Sequence, residues 1–404
     1  MTSSIATDII ITGAGPAGLC LARALSGRGL RITVVEQLQQ SELANPPFDG
    51  REIALTQLSA RLMRELGLWE RIAPHALSPL RDAKVLNGPS PFAMTISHQL
   101  SGQSELGWLV SNHLIRQAAY ESVLAAKEAS QDITLLCGDK VSALQTDDQG
   151  ARVTLTSGTQ LHGKLIVAAD SRFSETRRAM GIGADMHDFG KTMLVCCMTH
   201  DQPHHHAAWE WFGYGQTLAL LPMNPDPATH EYRSSVVLTL PHTEMTPLMA
   251  MTPDAFNQDM QLRFAGRLGR MTLTSTRHCY PLVGVYPHRL VAKRFVTVGD
   301  AAVGMHPVTA HGFNFGLRGV DTLARAILAA HAAGQDIASA ALLTDFEKNH
   351  RRATRPLYLA TQLVSSLYTN DSRPARLLRD TALRLGEALL PFKRAMAASL
   401  SGVK

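Results

Sequence analysis

The stretch Asp8-Ile9-Ile10-Ile11-Thr12-Gly13-Ala14-Gly15-Pro16-Ala17-Gly18 decides how the rest of the chain is read. An apolar, β-branched run enters a glycine turn of the form Gly13-x-Gly15-x-x-Gly18. A helical pattern then follows through Leu19, Ala22, Leu25 and Leu30. A second strand, Ile32-Thr33-Val34-Val35, ends at Glu36. The spacing predicts a βαβ unit. In it Gly13 makes the tight turn, Gly15 lets backbone approach a pyrophosphate, and Gly18 lets the helix pack on the strand. Ala14, Pro16 and Ala17 complete the turn, and the exposed N–H groups of the helix start face an anion. Glu36, about 20 residues on, is placed to accept bonds from a ribose diol. The motif predicts dinucleotide binding without choosing between a flavin and a nicotinamide.

A second stretch makes that choice. Phe295-Val296-Thr297-Val298-Gly299-Asp300 is a buried strand ending in Gly-Asp. After His306-Pro307 come Gly312-Phe313-Asn314 and a helix through Leu317, Val320, Leu323 and Ile327. A carboxylate at a strand end binds a sugar-chain hydroxyl, and a helix start near Gly312 offers N–H groups and positive dipole to an anion such as reduced flavin. Two clusters nearly 300 residues apart imply one extended cofactor held by a discontinuous domain.

Taken together, the motifs resemble the FAD-dependent aromatic hydroxylases related to 4-hydroxybenzoate hydroxylase, and within them the ubiquinone-biosynthesis ring hydroxylases. Further marks are Asp49-Gly50-Arg51, Leu66-Gly67-Leu68-Trp69, Asn112-His113-Leu114-Ile115-Arg116 and Ile166-Val167-Ala168-Ala169-Asp170. Trp209, Phe212, Leu218 to Pro222 and Tyr280-Pro281-Leu282 extend the likeness through the middle of the chain. The resemblance implies that Arg51, Asn112 and Arg116 contact FAD, with Asp170 beside them. It implies that Asp300 bonds the ribityl chain, Pro307 lies beside the flavin ring, and Gly312, Phe313 and Asn314 hold its pyrimidine end. It further implies NADH or NADPH as reductant, O₂ as co-substrate, and a flavin C4a-hydroperoxide that hydroxylates an electron-rich ring. The substrate so implied is a polyprenylated phenol or quinol of ubiquinone biosynthesis. The alternatives are a soluble phenol, or a non-catalytic flavoprotein subunit of a biosynthetic complex.

The chain departs from the family at two places. Asp170 is followed by Ser171 where the family has glycine, which bears on the reductant. Ala310-His311 precedes Gly312 where the family has Gly-Gln, so His311 either tunes the flavin or contacts substrate, or is a solvated loop residue.

The fold expected is α/β: a doubly wound, Rossmann-like FAD domain from residues 1–75, 104–182 and 276–345. A β-sheet substrate domain comes from 76–103 and 183–275, and a helical tail from 346–404. The strands at 192–199, 207–221 and 232–240 are read as antiparallel, with Trp209, Trp211, Phe212, Leu220 and Pro222 as the substrate wall. His204-His205-His206 is read as a solvated loop, because three adjacent imidazoles in extended chain cannot converge on one ion. No metal is expected.

Bulk properties set the limits. With 404 residues, 45% of them hydrophobic and 18% charged, the chain is ordinary for a folded globular protein. A net charge of +5 suits anionic cofactors or lipid, without the concentrated basic stripe of a nucleic-acid binder. Five cysteines without C-x-x-C, and a start that enters a strand at once, point to a reducing cytoplasm. Residues 373–404 carry seven basic and two acidic side chains among leucines. That pattern suits either an amphipathic helix on the inner face of a membrane or a helix packed on the flavin domain. A complex with other ubiquinone-biosynthesis proteins is a further expected partner.

Overall fold

The computed structural model describes residues 4–305, 312–369 and 372–402. The strand Ile9–Thr12 is buried along its whole length, as a parallel strand covered on both faces must be. Ile9 and Ile11 face the helices Pro16–Leu25, Asn112–Ser130 and Gly312–Ala332, while Ile10 faces a second core with Val153, Leu155, Leu161 and Phe295. Around it lies a sheet in the order Ile133–Cys137, Ile32–Glu36, Ile9–Thr12, Leu165–Ala168, Phe295–Thr297, all parallel, with Val291–Ala292 antiparallel at the edge. The chain order reverses between Ile9–Thr12 and Leu165–Ala168, and α/β sheets bind ligands in the crevice beyond the strand ends at such a switch point. The far face is roofed by a four-stranded sheet from Ser4–Ala6, Gln160–Gly163, Ala151–Leu155 and Val141–Thr146.

The second large sheet runs Met271–Leu273, Ala184–His200, Tyr232–Pro241, Thr217–Met223, Ala207–Phe212, Asp82–Asn87, Ala93–Ser97, with His278–Pro287 also paired to Ala184–His200. It is mixed, not purely antiparallel. Ala207–Phe212 runs parallel to Asp82–Asn87, because the latter strand is inserted from a much earlier part of the chain. The expected 207–221 strand is a hairpin, broken at Gly213 to Gln216. The strand Gly107–Ser111 runs directly into the helix Asn112–Ser130.

Two helices were not foreseen: His242–Ala250 and Pro253–Arg263. The second opens with the Thr252 hydroxyl accepting from Ala255 N and Pro253 at its first position, a start signal legible in Thr-Pro-Asp. They cover one face of the large sheet through Phe256, Met260 and Phe264. Helix Ala340–Thr369 is continuous through the boundary drawn at 345/346.

The tail helices Arg373–Ala388 and Leu390–Ser401 pack mainly on the Asp82–Ser97 hairpin, and the end of the second reaches Thr56 and Leu58. Leu383 and Ala397 bury against Met94, Ile96 and Leu106, and Thr95 N donates to Glu387 Oε2 at 2.8 Å. No helix among the described residues is long and apolar enough to cross a membrane.

Candidate active site

At the switch point three backbones come very close. A Cβ on Gly18 would lie 2.0 Å from Gly13 O, and one on Gly13 would lie 2.6 Å from Ala169 O. Any side chain at either place would push the first helix off the sheet. Gly15 has nothing nearer than 4.0 Å, so its backbone stays open to a ligand. Glu36 is fixed here: Ala14 N donates to its Oε2 at 2.7 Å and Leu38 N to its Oε1 at 2.9 Å. Asp170 accepts from Thr176 N and Oγ1 through Oδ2, while its buried Oδ1 has no partner.

One cavity of about 1160 Å³ joins this crevice to the second cluster. Its lining includes Gly13 to Ala17, Glu36, Arg51, Asn112, Arg116 and Asp170, and also Gly299, Asp300, Gly312 and Phe313. Asp300 pairs with Arg172 at 3.5 Å and stays half-exposed. Gly299, at φ +61°, lies where a Cβ would meet Ala17, so the two clusters pack directly on each other.

Asp49 knits the middle of the cavity. Arg51 Nη2 donates to Asp49 Oδ2 at 2.6 Å, Asn112 Nδ2 to the same oxygen at 2.7 Å, and Tyr280 Oη to Asp49 O at 2.7 Å. The Arg51 guanidinium also lies 5.2 Å from the Tyr280 ring centre. Burial opposes ionisation of Asp49, yet Arg51 and the Asn112 bond hold its carboxyl below the usual range. In the sequence Asp49 stands out only as the first residue of Asp49-Gly50-Arg51. A carboxylate two residues before a cavity arginine was the available signal.

Asn314 is placed differently from its expected role. Its side chain is buried behind the cavity wall, accepting from Thr56 N at 3.0 Å and donating to Ala54 O at 2.8 Å. It fixes the start of the helix against the strand Glu52–Thr56 that follows Arg51. Pro307 and His311 lie outside the described residues.

The cavity's other wall is the large sheet. Lys191, Met193 and Val195, Glu210 and Phe212, Thr217, Ala219 and Leu221, and Ser235, Val237 and Thr239 face it from four strands. Alternation sends Trp209, Trp211, Leu220 and Pro222 to the opposite face. Trp211 packs near Phe264, donates its Nε1 to Gly88 O at 2.8 Å and lies under Arg267. Of the five expected wall residues, only Phe212 lines the cavity. The two unforeseen helices claim the tryptophan face as core.

The histidine loop is corrected too. His204 is 5% exposed, its Nε2 donates to Met223 O at 2.9 Å and its Nδ1 accepts from His206 N. Burial pushes its imidazole down to about 4.

The residues fit FAD. The open Gly15 cradle, the fixed Glu36 carboxylate and the unpartnered Asp170 oxygen suit the adenosine diphosphate end. Asp300 and the helix start at Gly312 suit the ribityl and ring end.

Known proteins agree with this geometry. The family described as FAD binding domain matches residues 6–358. Ubiquinone hydroxylase UbiM of Neisseria meningitidis is 43% identical over 99% of this chain and 85% of its own. Ubiquinone hydroxylase UbiL of Rhodospirillum rubrum is 32% identical over 96% and 87%. The crystal structure of p-nitrophenol 4-monooxygenase PnpA from Pseudomonas putida shares the fold at 16% identity, with TM-score 0.76 over the whole of both chains. The chain therefore belongs to the FAD-binding family of flavin-dependent aromatic-ring monooxygenases, in which its most similar relatives include ubiquinone hydroxylases.

Proposed function

We propose that this enzyme hydroxylates the ring of a polyprenylated phenol or quinol intermediate of ubiquinone biosynthesis, at the inner face of a membrane. The observation that carries the reading is the one cavity that begins at the dinucleotide crevice and ends on a sheet face carrying Met193, Val195, Phe212, Ala219, Leu221 and Val237. The names of the relatives supply the substrate class. Bound FAD, reduced by NADH or NADPH, activates O₂ and supplies one oxygen atom to the ring.

The chain's own groups do the rest. The glycine turn and Glu36 would bind the adenosine diphosphate, with Arg51, Asn112, Arg116 and Asp170 along the cofactor's length. Asp300 and the N–H groups at Gly312 and Phe313 would seat the flavin end. Met193, Val195, Phe212, Ala219, Leu221 and Val237 would exclude water around the substrate ring.

The tail supports the membrane part of the reading. Leu377, Leu378, Leu385, Leu389, Leu390 and Phe392 are each at least 43% exposed, with Arg384 and Arg394 exposed among them. Apolar side chains flanked by cations suit an anionic bilayer, where a polyprenylated intermediate resides. Membership of a complex of ubiquinone-biosynthesis enzymes belongs to the same reading.

The test is turnover by the purified FAD-loaded protein with NADH or NADPH, O₂ and a series of 4-alkylphenols. Hydroxylated product should form, with kcat/KM rising with chain length. Equal activity on phenol itself would favour a soluble substrate, and peroxide without any hydroxylated product would overturn the reading.

A further inference from the structure

One row of the substrate wall is apolar except for a single carboxyl. Strand register aligns Val85, Glu210, Ala219, Val237 and Val195 in one row across five strands. Glu210 is the only ionisable member of that row. It lines the cavity, and its carboxyl makes no hydrogen bond or ion pair with any described residue. Two strands away, and two residues along from Val237, the buried Ser235 hydroxyl also borders the cavity without a partner. Glu210 is partly buried, with its carboxyl turned to the cavity, and a carboxyl withdrawn from bulk water costs stability unless something satisfies it. Here nothing in the fold does, and the cavity is where a partner would come from.

We infer that Glu210 anchors a hydroxyl of the substrate ring and takes up its proton when the ring is activated for oxygen transfer. The inference rests on a phenolic substrate. The ring O–H bond breaks, its electron pair stays on the ring oxygen, and the proton passes to a Glu210 carboxyl oxygen, which then donates a hydrogen bond back to the negative ring oxygen. The negative charge raises electron density on the ring that receives oxygen. After transfer, the C–H bond of the carbon that received oxygen breaks, its electron pair restores the aromatic ring and its proton leaves to solvent, while Glu210 returns the proton it holds to the first ring oxygen and is ready for the next turnover.

Burial pushes the carboxyl up to about 8, and no charged neighbour contributes to that rise. The flanking strands present Val85 and Ala219. The ionisable groups lining the cavity elsewhere are Lys191, Glu52, Arg51, Tyr280 and Asp300, and towards the dinucleotide crevice Glu36, Arg116, Asp139, Lys140, Asp170, Arg172, Glu175 and Arg178. Beyond Val85, the tail helix brings Arg376 and Arg379 to Tyr214. A carboxyl poised between an ordinary acid and a phenol is suited to sharing a phenol's proton. Glu210 and the ring hydroxyl together hold two protons at low pH and one above about 8, and the one-proton pair is the reactive form.

The experiment uses FAD-loaded wild type, E210Q and E210L, with a 4-alkylphenol and its methyl ether as ligands. Binding, read from the flavin absorbance change, should favour the phenol over the ether at least tenfold in wild type and less than twofold in E210L. In turnover, E210Q should lose at least a hundredfold in kcat/KM, mostly in kcat. Its alkaline-rising limb should move from near 8 towards the phenol's own value of about 10. Full FAD content with wild-type melting in E210L would show that the fold survives. Unchanged discrimination in E210L, an unmoved limb in E210Q, or loss of bound FAD in both variants would overturn the assignment. If wild type hydroxylates no phenol yet binds phenol over ether through Glu210, the anchor stands and the reaction reading falls.

Discussion

Glu52 shows how a cavity wall imposes costs on single residues. Burial pushes its carboxyl up to about 7, against the opposing hydrogen bond from Ser111 and the charge of Arg233. In the unfolded chain the group ionises near its ordinary value of 4.5. Between these values the folded state holds a proton that the unfolded state has lost. Stability contributed by the neutral form therefore falls as pH rises from 4.5 to 7, and is gone above 7. The total is about 3 kcal/mol at 1.36 kcal/mol per unit. Glutamine cannot ionise, so E52Q should match wild type near pH 4 and exceed it by up to about 3 kcal/mol at pH 8, measured by urea unfolding. An offset of the same size at both pH values would show that the change acts through packing alone. At this scale the sequence was most legible where backbone geometry leaves no choice. Gly13 and Gly18 sit where any Cβ collides with backbone, so the motif's spacing carried its geometry with it. Asp49 and Asn314 act through partners over 60 and over 250 residues away, and no local pattern announces such pairs.

At the scale of elements, the parallel strands could be read from their unbroken apolar runs, and the Gly312 helix from its stripe of Leu317, Val320, Leu323 and Ile327. The large sheet was legible as strands but not as faces. Alternation divides Trp209 and Trp211 from Glu210 and Phe212, yet does not say which set meets the helices. Only the Pro253–Arg263 helix, seated on Phe256 and Met260, settles that. The tail helices hold Leu383 and Ala397 in a core on one side and present leucines to solvent on the other. The triple variant L377S/L378S/L385S should therefore leave the melting temperature within about 2 °C of wild type, since exposed sites contribute little to stability. It should lose at least tenfold in binding to phosphatidylglycerol vesicles in flotation, with neutral phosphatidylcholine vesicles binding poorly to both proteins. Equal flotation of variant and wild type would exclude this face as the membrane contact.

For the whole molecule, the reading stands on distant parts of the chain gripping opposite ends of one cofactor. That arrangement predicts a split response to ligand fragments. ADP should compete with FAD, since the glycine turn and Glu36 suffice to hold it. E36A, which frees Ala14 N, should weaken ADP and FAD alike by about tenfold to a hundredfold, the effect of about 1–3 kcal/mol for a lost charged acceptor. D300A should weaken FAD and leave ADP unchanged. Isothermal titration of the apoprotein distinguishes these patterns, and a D300A defect extending to ADP would mean that Asp300 supports the fold rather than the flavin end. The expected partition into a discontinuous FAD domain and a sheet domain remains a proposal on this footing, with helix Ala340–Thr369 running unbroken across one of its seams.

The two-sided sheet has a consequence for how such an enzyme can change. Odd and even positions along Ala207–Phe212 and Thr217–Met223 answer to different selective demands, one to solidity and the other to molecular recognition. A combinatorial library confined to positions 193, 212, 219, 221 and 237 would vary what the chamber admits while leaving the tryptophan side intact. New ring preferences should emerge from it at little loss of yield, which is an evolutionary freedom that a single-faced wall would deny.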